Sequence, residues 1–272
     1  MGEALQRIES GKFKDCAYKV LGRGFPVMLV HGFPADHTLW EKQATVLHKE
    51  YQLLLPDIPG TGKSPIIKDI SIADIGEFLK AIIDQERLPK CIIIGHSMGG
   101  YATLAFADKY SKYLTGWGLF HSSAYADDDE KKVGRKRFIR MMEKYGQEQF
   151  LKQMLPNLFS HHSRKEKRML IKKLIQKRNE AGVDALIPYY QAMCQRPDRT
   201  DVLRKAQVPV LFFIGKEDIA APSEKVIEQV QLPKISQVNI LEDVAHLGML
   251  EAPKASTAVI QQFIQFCLRQ EG

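Results

Sequence analysis

The sequence predicts an α/β architecture with a mostly parallel central sheet, and three observations carry that prediction. Runs that are apolar at nearly every position recur at 27–30, 53–55, 92–94, 119–120, 210–214 and 238–241. Apolarity without alternation suits strands covered on both faces. Most of these runs lead into turn residues and then a more polar, helix-like segment, the rhythm of strands joined by crossover helices. Finally, 272 residues with 44% apolar and 26% charged side chains can bury a large core, in one domain or one domain plus an insertion. The same composition excludes a disordered tail, a collagen-like rod and a disulfide-stapled miniprotein.

In open sheets of this kind ligands bind beyond the carboxyl ends of the strands, so the residues after each run are the ones to read. The first run is followed by His31-Gly32-Phe33-Pro34 and the second by Asp57-Ile58-Pro59-Gly60-Thr61-Gly62-Lys63-Ser64. Gly62-Lys63-Ser64 imitates the end of a phosphate-binding loop, but that motif requires glycine where Asp57 stands, so no nucleotide site is expected. The third run leads into Gly95-His96-Ser97-Met98-Gly99-Gly100 and then a helix-compatible segment. This is G-x-S-x-G at a strand-to-helix junction, the nucleophile elbow, in which a strained turn projects the serine hydroxyl and the helix N-terminus offers amide donors. The bland alternative is a glycine-rich turn that happens to contain a serine.

The fourth run ends at His121-Ser122-Ser123, with no acid. From 123 to 199 no strand-like run appears. Helix-like segments are expected near 127–145, 147–155 and 164–180, punctuated by Gly146, Pro156 and Gly182, with Leu170, Ile171, Leu174 and Ile175 spaced as one buried stripe. This stretch reads as a helical insertion. The fifth run ends in Gly215-Lys216-Glu217-Asp218 and the last leads to Asp243-Val244-Ala245-His246.

Taken together, these motifs and their order, Ser then Asp then His, resemble the α/β-hydrolase superfamily over essentially the whole chain. The resemblance implies a catalytic domain of residues 1–122 and 200–272, with 123–199 as a helical cap. It also implies a triad of Ser97, Asp218 and His246, in which His246 takes the serine proton and Asp218 orients the imidazole. Glu217 and Asp243 are the competing acids, and Asp218 fits the family's Gly-x-x-Asp spacing. His31 and His96 are expected in supporting roles, and His161 and His162 as solvated or capping residues. The family's oxyanion hole takes the backbone N–H groups of Phe33 and Met98. Trp40 and Met249 read as core. Candidates for the substrate pocket are His121, Met142, Leu158 and Tyr189, with internal packing the alternative for each.

Serine at position 97 disfavours the carboxylate-nucleophile dehalogenases and epoxide hydrolases of this fold. The His-Gly-Phe-Pro loop also differs from that of prolyl iminopeptidases. The expected activity is therefore carboxylic ester hydrolysis, resembling enol-lactonases and pimeloyl-carrier-protein methyl ester esterases. Ligand-sensing relatives, C–C bond hydrolases and perhydrolases share the triad and stay open as alternatives. No cofactor and no metal are expected, since ligand-like clusters are missing and a serine mechanism needs none.

The charge is uneven. Of a net +7, residues 123–199 hold 18 Lys+Arg against 10 Asp+Glu, and 131–178 alone hold 16 basic residues against three acidic. Lys136, Arg140 and Lys144 share a helical face, as do Lys165, Arg168 and Lys172. A solvated surface is the plain reading, and a rim that attracts an anionic or carrier-protein-bound acyl substrate is the sharper one. Nucleic acid is not expected, because the basic residues are not interleaved with aromatics for base stacking. Four scattered cysteines without a C-x-x-C pair, an acid at Glu3 and no membrane span point to a cytoplasmic chain. Oligomeric state is left open.

Overall fold

The computed structural model describes residues 4–178 and 182–271, so the N-terminal reading at Met1 to Glu3 and the end of the helix expected over 164–180 lie outside the described residues. Strands β1 (Ala4–Arg7), β2 (Ala17–Leu21), β3 (Pro26–Val30), β4 (Gln52–Pro56), β5 (Cys91–His96), β6 (Leu114–Phe120), β7 (Val210–Gly215) and β8 (Ser236–Leu241) form one sheet. Its order is β1-β2-β4-β3-β5-β6-β7-β8. From β4 to β8 every pairing is parallel, whereas β2 runs antiparallel to both β1 and β4. All six residues of β5 and of β7 are buried, as unbroken apolar runs require. The last strand departs from that pattern, because β8 is an edge that leaves Val238 40% and Ile240 39% exposed.

Helices α1 (Glu41–Leu47), α2 (Ile72–Gln85), α3 (Met98–Tyr110), the short α9 (Ser223–Ile227) and α10 (Gly248–Glu251), and α11 (Pro253–Glu271) accompany the sheet. The start of α2 is fixed by a capping box, in which the Ser71 hydroxyl accepts the Asp74 N–H and the Asp74 carboxylate accepts the Ser71 N–H. Its Ile75, Phe78, Leu79, Ile82 and Ile83 then form the buried face. No helix among the described residues is long and apolar enough to cross a membrane.

Between β6 and β7 the chain is helical: α4 (Asp129–Met154), α5 (His161–Glu166), α6 (Arg168–Arg178), α7 (Val183–Gln195) and the short α8 (Thr200–Arg204). Gly146, at φ 77°, breaks α4 where the sequence suggested a boundary. The segment expected over 164–180 is instead two helices separated at Lys167, so Lys165 does not continue the face of Arg168 and Lys172. Ile171 is buried, and Leu170, Leu174 and Ile175 are partly buried against the core. Helix α7 is an addition to the expected set; it runs through Pro188 and buries Leu186, Tyr189, Tyr190 and Met193.

Polar ties hold this helical stretch together and anchor it to the loops that follow the strands. The Asp127 carboxylate accepts from the guanidinium groups of Arg135 and Arg196. Arg196 also donates to the carbonyls of Met193 at 2.9 Å and Tyr125 at 3.0 Å. On the other side, Arg178 on α6 pairs with Asp36 in the loop after β3, and the Tyr189 hydroxyl donates to the Pro59 carbonyl after β4.

Candidate active site

Ser97 occupies the turn between β5 and α3 with φ 52° and ψ −117°. A non-glycine residue in this region is strained and persists only where the surroundings hold it. Here they do: the Ser97 N–H donates to the Phe120 carbonyl at 3.0 Å, and the Ser97 carbonyl accepts the Ser122 hydroxyl at 2.8 Å. The close approach of α3 to β3 requires Gly99, whose position would bring a Cβ to 2.5 Å from the His31 carbonyl oxygen.

Three side chains from distant loops meet in a line. His246 Nε2 lies 2.8 Å from Ser97 Oγ, and His246 Nδ1 lies 2.8 Å from Asp218 Oδ2. Asp218 Oδ1 accepts the N–H groups of Ala220 at 2.8 Å and Ala221 at 2.9 Å, which fixes the carboxylate. Burial by itself raises the carboxyl pKa; the imidazoles of His246 and His121 outweigh it and hold Asp218 well below the usual carboxylate range. The expected competitors lie elsewhere. Glu217 is exposed and accepts the His161 N–H at 2.7 Å, and Asp243 is exposed on the loop.

The backbone N–H groups of Phe33 and Met98, the expected oxyanion donors, make no hydrogen bond to another described residue. A Cβ built on Gly32 would lie 2.9 Å from the Ser97 Cβ, which measures how tightly the loop after β3 passes the serine. The Phe33 ring packs edge-on against Tyr190 at 4.9 Å and meets Phe150 at 6.1 Å and Tyr189 at 6.2 Å.

Of the candidate pocket residues, Leu158 is tied to the His246 loop: its carbonyl accepts the His246 N–H at 3.0 Å. Tyr189 and Met142 are each 1% exposed, and the tyrosine hydroxyl is engaged with Pro59. His121 stands behind Asp218, its side chain fully buried and its Nδ1 3.4 Å from Oδ2, instead of at a pocket wall. Trp40 and Met249 are buried in the core, as expected.

The supporting histidines are held in defined tautomers. His31 Nε2 accepts the Ile58 N–H at 3.1 Å, so Nδ1 carries the proton and donates to the Gly32 carbonyl at 2.9 Å. Burial pulls its pKa down to about 4. His96 Nε2 donates to the His246 carbonyl at 2.8 Å, which ties β5 to the loop carrying His246. Burial, with His246 and His121 nearby, holds His96 far below the usual histidine range.

Sequence reasoning missed Glu251. Its Oε1 accepts the N–H groups of Ala245 and Leu247, both at 3.1 Å, on either side of His246, and its Oε2 accepts the Ser160 N–H at 2.8 Å. No local motif marks such a residue, because its partners are backbone groups. Phe150 and Tyr190, the aromatic neighbours of Phe33, were equally silent in the sequence.

The family model for the alpha/beta hydrolase fold matches residues 26–253. A pimeloyl-[acyl-carrier protein] methyl ester esterase of Wigglesworthia glossinidia brevipalpis is 23% identical over 269 residues, 93% of this chain and 98% of the relative. Among solved structures, a thermophilic esterase from Thermogutta terrifontis with malate bound superposes with a TM-score of 0.87 at 30% identity, covering 92% of this chain and 93% of that one. The enol-lactonase of Burkholderia xenovorans LB400 gives a TM-score of 0.83 over 91% of this chain and 95% of its own, and at 19% identity that likeness speaks for the fold alone. With the parallel sheet, the strained serine turn and a family match spanning nearly the whole chain, the protein belongs to the alpha/beta hydrolase fold family and falls in its esterase-like group.

Proposed function

We propose that the protein is a serine hydrolase that cleaves a carboxylic ester through an acyl-enzyme on Ser97. The observation that carries this reading is the line from Ser97 Oγ to His246 Nε2 and from His246 Nδ1 to Asp218 Oδ2, both links 2.8 Å long. His246 removes the hydroxyl proton as Oγ attacks the ester carbonyl. The tetrahedral oxyanion is met by the N–H groups of Phe33 and Met98, which act where charge exists only in the transition state. His246 then returns the proton to the departing alcohol, leaving an ester bond to Ser97. A water enters, gives its proton to His246 and attacks the acyl carbon, and the same proton returns to Oγ as the acid leaves. Asp218 stays ionised throughout and stabilises the imidazolium.

On this reading residues 123–199 are a cap over the serine, with Leu158 bonded to the His246 loop and Phe150, Tyr189 and Tyr190 walling the acyl side through Phe33. The substrate we favour carries an anionic or carrier-borne acyl group, because Lys136, Arg137, Arg140, Lys144, Arg168 and Lys172 are all exposed on α4 and α6. The central test is hydrolysis of p-nitrophenyl butyrate with a burst of nitrophenolate at high enzyme concentration. Ser97→Ala is expected to lower kcat by roughly 10³-fold or more without unfolding the protein. Retention of wild-type turnover in that variant would overturn the assignment.

A further inference from the structure

We infer that His121 is a positioning residue that acts on the reaction through Asp218; this rests on the reading of Ser97, His246 and Asp218 as the catalytic groups. His121 directly follows β6 at φ 50°, and its side chain is fully buried. Its Nε2 accepts the Gly248 N–H at 3.2 Å. A neutral imidazole has one protonated and one bare nitrogen, so accepting at Nε2 puts the proton on Nδ1. Nδ1 lies 3.4 Å from Asp218 Oδ2, a charge contact short of hydrogen-bond geometry that leaves this buried N–H without another partner among the described residues.

The same Oδ2 takes the Nδ1–H of His246 at 2.8 Å, so one carboxylate oxygen lies between two imidazoles. Oδ1 is already occupied by the N–H groups of Ala220 and Ala221. The second imidazole therefore does two things at once. It holds the carboxylate plane so that Oδ2 points at His246, and it draws on the charge that would otherwise act on His246 alone. The other ionisable groups facing this pair are His96 from β5 and Glu251 from α10. His121 stays neutral beside them, since burial opposes its protonation more than Asp218 favours it.

Taking away the Nδ1–H leaves the Asp218 charge to act on His246 alone. The acid limb of kcat/KM should consequently move upward, and kcat should fall as the carboxylate loses its orientation. Two amides separate this role from simple bracing of the Gly248 loop. In His121→Asn the amide Nδ2 stands where the imidazole Nδ1 stood, so the donor to Asp218 is kept and the Gly248 contact is lost. In His121→Gln the side-chain oxygen reaches the Gly248 N–H and the donor to Asp218 is lost. Asparagine also tolerates the left-handed backbone of this position.

The test is the pH profile of kcat/KM for p-nitrophenyl butyrate over the pH range in which circular dichroism shows each variant equally folded, so that folded fraction scales the profile without changing its shape. The expected result is a wild-type limb in His121→Asn. In His121→Gln the limb should shift upward by about half a pH unit or more, with kcat lowered about tenfold at unchanged KM. An unshifted limb in His121→Gln, or an equal shift in both variants, would overturn the positioning role. Loss of the catalytic reading itself gives a different signature, namely full turnover in Ser97→Ala or His246→Ala.

Discussion

At Gly32 a single methyl group separates two outcomes for the loop proposed to meet the oxyanion. A Cβ there would sit 2.6 Å from His96 Nδ1, 2.9 Å from the His96 carbonyl oxygen and 2.9 Å from the Ser97 Cβ. The latter two belong to the strained turn and to the serine itself, so relief has to come from moving the loop that carries the Phe33 N–H. Displacing one oxyanion donor costs about 10²- to 10³-fold in kcat. Gly32→Ala is therefore expected to lose that much kcat with KM little changed, and steady-state kinetics on a short-chain ester checks it; wild-type kcat would show that the Phe33 amide is not a donor. Ser97, Asp218 and His246 were readable because each follows a strand within a short motif. The surroundings of His121, read in the sequence as a pocket residue, and of Glu251 were not, since their partners are backbone N–H groups brought close only by folding, at Gly248 for one and at Ala245, Leu247 and Ser160 for the other.

Among the elements, legibility followed apolar runs more than burial, since the exposed edge strand β8 was read and the partly buried β2 was not. The parallel strands announce themselves through unbroken apolar runs, whereas β1 and β2 were missed because they are short, mixed in polarity and lie at the antiparallel edge, with Leu5 42% exposed. Helix α7 was missed because Pro188 reads as a breaker, although the helix tolerates it while Tyr189 and Tyr190 bury on the far side. The basic character of α4 and α6 was legible from composition alone, but the break at Lys167 was not. Arg140 on α4 and Arg168 on α6 are both exposed, so their charges are screened within about 10 Å at 0.1 M salt. Attraction of an anionic substrate would then appear as an encounter effect. The double reversal Arg140→Glu with Arg168→Glu is expected to lower kcat/KM severalfold for a half-ester of a dicarboxylic acid at low salt, to leave a neutral ester unaffected, and to converge on wild type at high ionic strength. Equal kcat/KM for the anionic ester in both proteins at low salt would reduce the basic faces to solvated surface.

For the molecule as a whole, the buried imidazoles around the site set how stability responds to acid. His31, His96 and His121 all have native pKa values lowered by burial, to about 4 for His31. Above pH 6.5 both native and unfolded chains hold them neutral, and they contribute no pH dependence. Below it the unfolded chain takes up protons that the native interior excludes, so unfolding becomes more favourable by up to about 1.4 kcal/mol per pH unit for each such histidine. For His31 the loss continues down to about 4, amounting to roughly 3 kcal/mol. The buried carboxylates Asp36, Asp57, Asp127 and Asp218 have the opposite starting point: their native pKa values are lowered, so their stabilisation is complete above the unfolded carboxylate value near 4 and is lost only as pH falls below it. The two sets therefore act in successive windows. Urea unfolding at pH 7.5, 6 and 5 is expected to show stability already falling between pH 6 and 5, before the carboxylates titrate. Replacing His31 with glutamine should flatten that slope whatever it does to stability at pH 7.5. A flat profile from pH 7.5 to 5, with the whole loss below pH 4, would mean that these histidines are not held neutral in the native protein.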